Sequence, residues 1–303
     1  MRAGSAAWAI LMAALLAAAG ARAAPELSAV QREWLQAHPQ VRLGIERDYG
    51  PFVYQGPDGR ATGLSIDMLE LVRERLGLGV QALPPAPLQD LLTAARRGEA
   101  DLLTSLRPTP ERGEFLLFTR PYVSVPAVLA VRAGTGDPAT LGEAVDPLRS
   151  YAGRAVAVGA GYAVESVVRQ RHPQVQWQPV RDDVVALRGV AEGRYAAAVL
   201  DSASLAFVQR EHRLPPLRAV GRVGFDYTLS FAVRRDWPQL RDLLDAGIVD
   251  LPVADRQRVL ERWMPQAPPA PQHAPLATRV GAALLLLGAA GALWVGWRRR
   301  RRA

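Results

Sequence analysis

The chain contains no cysteine, no lysine and no asparagine, and only four histidines, His38, His172, His212 and His273. Each absence excludes a class of chemistry. Without cysteine there is no disulfide framework, thiolate nucleophile, cysteine zinc site or lipidated cysteine anchor. Without lysine there is neither a Walker-type phosphate lysine nor a Schiff base. The histidines lack metal-ligand spacing, so neither a metal nor another cofactor is expected. Gly-x-Ser-x-Gly and His-Glu-x-x-His are also missing, and no Ser–His–Asp set stands out by spacing. The expectation is therefore that the protein is not an enzyme.

Positive charge is present but confined. Thirty-seven arginines face 29 acidic residues, giving +8 over 303 residues. Arg298 to Arg302 form one run, and Arg2 and Arg22 flank an apolar stretch; without these seven the balance is 30 − 29, or +1. A near-neutral body has no electrostatic footprint for a polyanion, and nucleic acid is not an expected partner.

Both ends carry targeting signals. Residues 1–23 combine a charged start, an apolar run from Ala6 to Gly20 and Ala21-Arg22-Ala23, the pattern of a secretory signal peptide. Residues 276–297 hold one charge, Arg279, and end in Trp294 and Trp297 before the five arginines. About twenty residues at ~1.5 Å each cross a hydrocarbon core of about 30 Å, and the positive-inside rule keeps the arginines cytoplasmic. The expected topology is a single-pass inner-membrane protein with its body, from residue 24, in the periplasm and the tail 298–303 in the cytoplasm. Between body and span, residues 265–275 place five prolines in eleven positions. Such a segment favours polyproline II, roughly 30 Å of semi-rigid spacer.

In the body, short apolar runs alternate with amphipathic stretches, the signature of parallel α/β sheets. Val41–Ile45, Val80–Leu83, Ala100–Thr104 and Ala127–Val131 read as strands. A helix follows Ser65, its expected cap, and ends at Gly77; another runs from Leu88 to Gly98. The pattern then restarts. Arg154–Val158, Val175–Pro179 and Ala196–Leu200 read as strands, with helices at Ala163–Arg171 and after Asp182. The segments 91–103 and 187–199 parallel each other as helix, glycine and buried strand, which suggests two lobes. Ligands of open α/β sheets bind beyond the carboxyl ends of the strands. That directs attention to Ser105–Arg112 and to Asp201–Ser204.

Six ordered blocks carry a resemblance: Glu46–Phe52, Gly59–Asp67, Pro108–Arg112, Phe118–Tyr122, Gly153–Tyr162 and Ala196–Asp201. Together they resemble the family 3 periplasmic solute-binding proteins, bilobed "Venus flytrap" modules, and particularly those serving as sensing domains of BvgS-like sensor histidine kinases. The resemblance covers about Leu27 to Trp263. It implies a type II periplasmic-binding-protein-like fold with hinge strands. Lobe 1 would comprise about 24–130 and 227–264, and lobe 2 about 131–226. It also implies that Arg112 clamps a ligand carboxylate, which suits a planar guanidinium fork, and that Asp201 takes the ligand ammonium. Thr109 shares the arginine's segment. Glu46 would assist with the ammonium or side chain, and Tyr49 and Phe52 would form an aromatic wall. Gly161 and Tyr162 would offer backbone N–H groups to an anion at a helix N-terminus. Asp201 could also cap the following helix, and Asp67 is expected to brace its lobe. Arg107 departs from the small residue usual at its position; it would either favour a diacid or pair with Glu46. Gly159 and Ala160 likewise replace positions that are often polar.

The expected function is a membrane-anchored module that closes on a small amino-acid-like or carboxylate ligand. With only Arg298–Ala303 beyond the span, a sensor without its own output domain is expected, signalling through a partner in trans. The alternative is a binding component that delivers solute to an ABC-type transporter.

Overall fold

The computed structural model describes residues 27–134 and 146–264. The expected signal peptide, linker, span and tail lie outside the described residues; among those described, no helix is long and apolar enough to cross a membrane. The first half of the chain forms α1 (Ala29–Ala37), β1 (Val41–Gly44), β2 (Asp48–Tyr49), β3 (Val53–Gln55), β4 (Ala61–Thr62), α2 (Leu64–Leu76), β5 (Val80–Ala82), α3 (Leu88–Arg96), β6 (Leu102–Leu106), α4 (Pro110–Gly113), β7 (Leu116–Phe118) and β8 (Val123–Arg132). The second half forms β9 (Ala155–Gly159), α5 (Ala163–Arg171), β10 (Gln176–Val180), α6 (Asp183–Ala191), β11 (Ala197–Asp201), α7 (Ser202–Glu211), β12 (Leu217–Arg234), α8 (Pro238–Asp250) and α9 (Val253–Trp263).

The strands follow the order β10-β9-β11-β8-β12-β6-β1-β5, with β7 also on β12. One lobe is built on the parallel strands β5, β1 and β6, the other on β9, β10 and β11. Strand β12 belongs to both: Leu217 to Leu229 pair with β8, whereas Ser230 to Arg234 pair with β6 and β7. It and β8 are thus the two strands that link the lobes. Ala127 to Ala130 already pair with β11. The passage into the second lobe thus begins by Ala127 and the return falls near Ser230, against boundaries expected at about 130 and 227. β6 and β11 are buried at every position, as strands covered on both faces must be.

The helix punctuation follows the sequence with one correction. Gly77 ends α2 in the left-handed conformation, and Asp182 caps α6 by accepting from the Val185 N–H. Ser65 does not cap α2. The cap is Gly63, whose φ of 130° only glycine adopts easily and whose Cβ would meet the Phe52 carbonyl at 2.3 Å. Ser65 is instead buried inside the helix, where it serves the site. Asp67 does brace its lobe, accepting from Trp263 Nε1 at 2.7 Å and Arg262 Nη1 at 3.0 Å and so tying α9 to α2.

The lobe-1 sheet carries one buried ionic knot. Asp101, 2% exposed, accepts from the Arg42 N–H and Nε at 2.9 Å each, from Arg42 Nη2 at 2.6 Å and from Arg234 Nη1 at 3.0 Å. Burial pushes its pKa up, but these arginine bonds outweigh burial and hold it below the usual carboxylate value. Such a group stabilises the fold above its unfolded pKa near 4, and the contribution is lost as pH falls through the lower folded value. Asp101→Asn should cost about 3 kcal/mol, the low end for a broken buried pair because both arginines keep some solvent. Thermal melts from pH 3 to 7 should show the native chain losing its advantage over Asp101→Asn at the acid end; equal melting temperatures at pH 7 would contradict this.

Candidate functional site

Five of the sequence-expected residues, Glu46, Tyr49, Arg107, Arg112 and Tyr162, line a cavity between the lobes together with Tyr227; Asp201, Thr109, Phe52 and Gly161 do not line it. Its free space is about 20 Å³, enough for one water. Outside it, Arg112 and Tyr162 also line a surface groove of about 420 Å³ that includes Thr109 and Gly161.

Arg112 is positioned from below by the end of β6. Ser105 there takes a φ of +60°, a costly conformation for a residue with a side chain. A closed hydrogen-bond set holds it. The Ser105 N–H donates to Tyr122 Oη at 3.0 Å, while the Ser105 hydroxyl and Tyr122 Oη donate to Ser65 Oγ at 2.7 and 2.8 Å. Burial pushes the Tyr122 phenol up to about 12, so it remains a donor. The chain then turns through Arg107 to Thr109, whose hydroxyl caps α4 by accepting from the Arg112 N–H at 3.3 Å. Thr109 thus orients the arginine's backbone and lies beside the central cavity rather than on its wall.

The Arg112 guanidinium, in a residue only 6% exposed, spans the cleft. Nη1 donates to the Arg107 carbonyl of its own lobe and Nη2 to the Gly161 carbonyl of the other, both at 2.8 Å. A second cross-cleft bond runs from Tyr162 Oη to Glu46 Oε1 at 3.1 Å. Tyr162 also meets the Tyr49 ring edge-on at 5.6 Å. Its own ring explains Gly159, where a Cβ would lie 2.6 Å from it. Phe52 lies under Tyr49, centroids 5.0 Å apart, fully buried in the core and not on the cavity wall as expected.

Two expectations are corrected. The amides at 160–162 are not free for an anion: the Ala160 N–H goes to the Val180 carbonyl, that of Tyr162 to Gly159, and that of Gly161 to Glu165 Oε2 at 2.7 Å. Glu165, in the first turn of α5, takes the place an anion would occupy. Gly161 contributes its carbonyl instead, at a φ of +75° that glycine tolerates. Arg107 does not pair with Glu46; its guanidinium lies 3.9 Å over the Phe225 ring and donates to the Asp226 carbonyl.

Asp201 is fully buried and caps α7, accepting from the Ser204 N–H and hydroxyl at 2.7 Å each. Burial nevertheless raises its pKa to about 6, and burial raises that of Glu46 to about 7 against the opposing pull of Tyr162 and Arg112. Asp183, Ser105 and Tyr227 were not anticipated. Ser105 begins the segment expected to follow the strand, but it stands inside β6, and its left-handed backbone has no sequence signal. Asp183 and Tyr227 reach the site only through the tertiary fold. Asp183 is 1% exposed, and burial together with the charges of Asp201 and Glu46 pushes its pKa well up.

Residues 41–266 match the family of bacterial extracellular solute-binding proteins, family 3. The chain belongs to that family. It is similar to the virulence sensor protein BvgS of Bordetella bronchiseptica, 26% identical over 242 residues, or 80% of this chain and 19% of BvgS. The chain thus spans about a fifth of that sensor. It is also similar to the membrane-bound lytic murein transglycosylase F of Shewanella oneidensis, 26% identical over 203 residues, 64% of this chain and 41% of that protein. Among solved structures, the periplasmic VFT2 domain of Bordetella pertussis BvgS superposes with a TM-score of 0.70 at 24% identity, covering 79% of this chain and 99% of that one. The two-lobed, periplasmic-binding-protein-like α/β fold follows, and similar domains occur both in a sensor and in a transglycosylase.

Glu46 and Asp201 both have folded pKa values above the unfolded ones. Their contribution is fully present below about pH 4 and is lost as pH rises through about 6 and 7, with a slope of up to about 1.4 kcal/mol per pH unit for each proton. The melting temperature should therefore fall between pH 5 and 8, and Glu46→Gln should flatten that fall. A Glu46→Gln profile parallel to the native one would contradict the assignment.

Proposed function

We propose that the protein is a membrane-anchored sensing module whose lobes close on a small amino-acid-like or carboxylate solute, with Arg112 as the carboxylate clamp. The observation that carries this is the state of the Arg112 fork. Two of its donors point into the cleft at neutral main-chain carbonyls, one on each lobe. A carboxylate offers the same two acceptor positions with full charge, and charge-assisted bonds are about twice as strong as neutral ones. A solute can thus replace the cross-cleft bond and still join the lobes. With about 20 Å³ between them, the lobes must separate before anything larger than water enters. Binding therefore requires hinge motion about β8 and β12, and differential affinity for the joined state supplies the signal.

The BvgS relative supports sensing, while the transglycosylase relative shows that a domain like this one also occurs in an enzyme. In this proposal the signal peptide exports the body, the segment 276–297 anchors it in the inner membrane, and Arg298–Arg302 stay in the cytoplasm. Closure is relayed to a signalling partner through α8 and α9, since Asp67 ties α9 to lobe 1.

A thermal-shift screen of the full chain in detergent against amino acids and small carboxylates should yield a ligand. At a hundred times its Kd the ligand adds about 2.7 kcal/mol, a rise of roughly 5–10 °C for a body of this size. Arg112→Ala should abolish the shift while leaving a folded circular dichroism spectrum. A shift intact in Arg112→Ala would overturn the clamp, and a screen without any ligand would overturn the function.

A further inference from the structure

Behind the Tyr49 and Tyr227 walls of the cavity lies an imbalance of charge. Besides Asp182, which pairs with Arg181, three buried carboxyls, Glu46, Asp183 and Asp201, share the interior with one buried guanidinium, Arg112. Two of the three are engaged. Glu46 accepts from Tyr162, and Asp201 from Ser204. Asp183 is not: both its oxygens are buried without a hydrogen-bond partner, and the Tyr227 hydroxyl is likewise unmatched. The Ser204 hydroxyl, the donor beside Asp183, gives its single proton to Asp201. Helix α6 packs against β11 and β2, and Asp201 and Tyr227 both stand on strands paired with β8, so the four groups form one cluster. Burial first, and then the nearby Asp183 and Asp201, push the Tyr49 and Tyr227 phenols up.

Asp183 also lacks a structural occupation. It stands in the first turn of α6, but Asp182 already caps that helix through the Val185 N–H at 2.8 Å and pairs with Arg181 at 2.7 Å. A buried carboxyl without a partner costs more than a polar residue in water, and a fold does not gain from keeping one. A proton keeps such a group neutral while it is buried, and a cation with N–H donors compensates it once it ionises. The neighbouring arginine cannot serve, because Arg107 is committed to Phe225 and Asp226. Tyr49 belongs to lobe 1 and Asp183 to lobe 2, so separating the lobes withdraws the phenol and uncovers the acid pair.

Given the solute-binding function proposed above, we propose that Asp183 and Asp201, with the Tyr227 hydroxyl, form a subsite for an ammonium or guanidinium group carried by the solute in addition to an α-ammonium. A solute with one carboxylate for Arg112 and two cationic groups for the acids lowers the excess of carboxyls over cationic groups from two to one. The class is a carboxylate-bearing diamine or guanidine of net positive charge, as in a basic amino acid. A diacid, the class a free Arg107 fork would have favoured, leaves Asp183 uncompensated.

The test is isothermal titration calorimetry of the full chain in detergent with L-lysine, L-arginine, L-glutamine and L-glutamate. Lysine or arginine should bind at least ten times more tightly than glutamine and glutamate. Asp183→Asn should remove most of that preference, weakening the cation tenfold or more while changing glutamine less than threefold. A merely structural Asp183 would shift all four ligands together. Glutamine or glutamate binding as tightly as either cation, or an unchanged preference in Asp183→Asn, overturns the subsite. If that variant does not fold, the ranking in the native chain decides alone. Failure of all four to bind overturns the subsite too, and the broader thermal-shift screen then decides separately whether the cleft binds any solute.

Discussion

A guanidinium buried to 6% exposure must have its donors met, and here the partners come from both lobes. Arg112 reaches the Gly161 carbonyl across the cleft and the Arg107 carbonyl beside it. Much of the surrounding architecture is what this requires. Ser105 is held in a left-handed conformation so that the chain after β6 turns back toward the cleft. Thr109 caps the four-residue helix that carries the arginine. Glu165 takes the Gly161 N–H and leaves that residue's carbonyl facing Arg112. Tyr162 and Glu46 then make the second bond across the same gap.

The sheet supplies the freedom that the cleft contacts restrain. Among the described residues, β8 and β12 are the strands that run through the junction, and β12 exchanges partners between Leu229 and Ser230. Each lobe keeps its own parallel strands, while one buried apolar cluster takes in residues of both. The polar bonds from Arg112 to the Gly161 carbonyl and from Tyr162 to Glu46 are added across the cleft. The electrostatics of the cleft favour the joined lobes when Glu46 and Asp201 are protonated, because burial penalises the charged forms.

Most of the fold was legible because it is written in local signals. The Gly77 and Asp182 termini and the arginine-rich end of α5 before Pro173 lie where the sequence puts them, and β6 and β11 lie two residues and one residue later than expected. The small sheet of β2, β3 and β4 was missed, since strands of two or three residues carry no periodicity. Helix α1 was missed although Ser28 and Gln31 form a capping box, the one signal that could have found it. Ser65 was assigned to a cap because serine favours that role, but the positive φ demanded glycine two residues earlier.

The site was legible one residue at a time and not as an arrangement. Arg112, Asp201, Glu46 and Tyr49 were named from their blocks, yet which donor meets which acceptor depends on how the lobes meet. That is why Phe52 proved to be core, Arg107 turned onto Phe225, and Asp183 and Tyr227 went unseen. The missing cysteine, which first excluded so much, now helps: labels at Asp90→Cys and Gln170→Cys, exposed positions on α3 and α5, would have no native thiol to compete with. Double electron–electron resonance between them, with and without Arg112→Ala plus Tyr162→Phe, measures directly whether the cross-cleft bonds hold the lobes together. A short, narrow distance in the native chain that lengthens and broadens in the double variant is the expected result; the same distribution in both would contradict it.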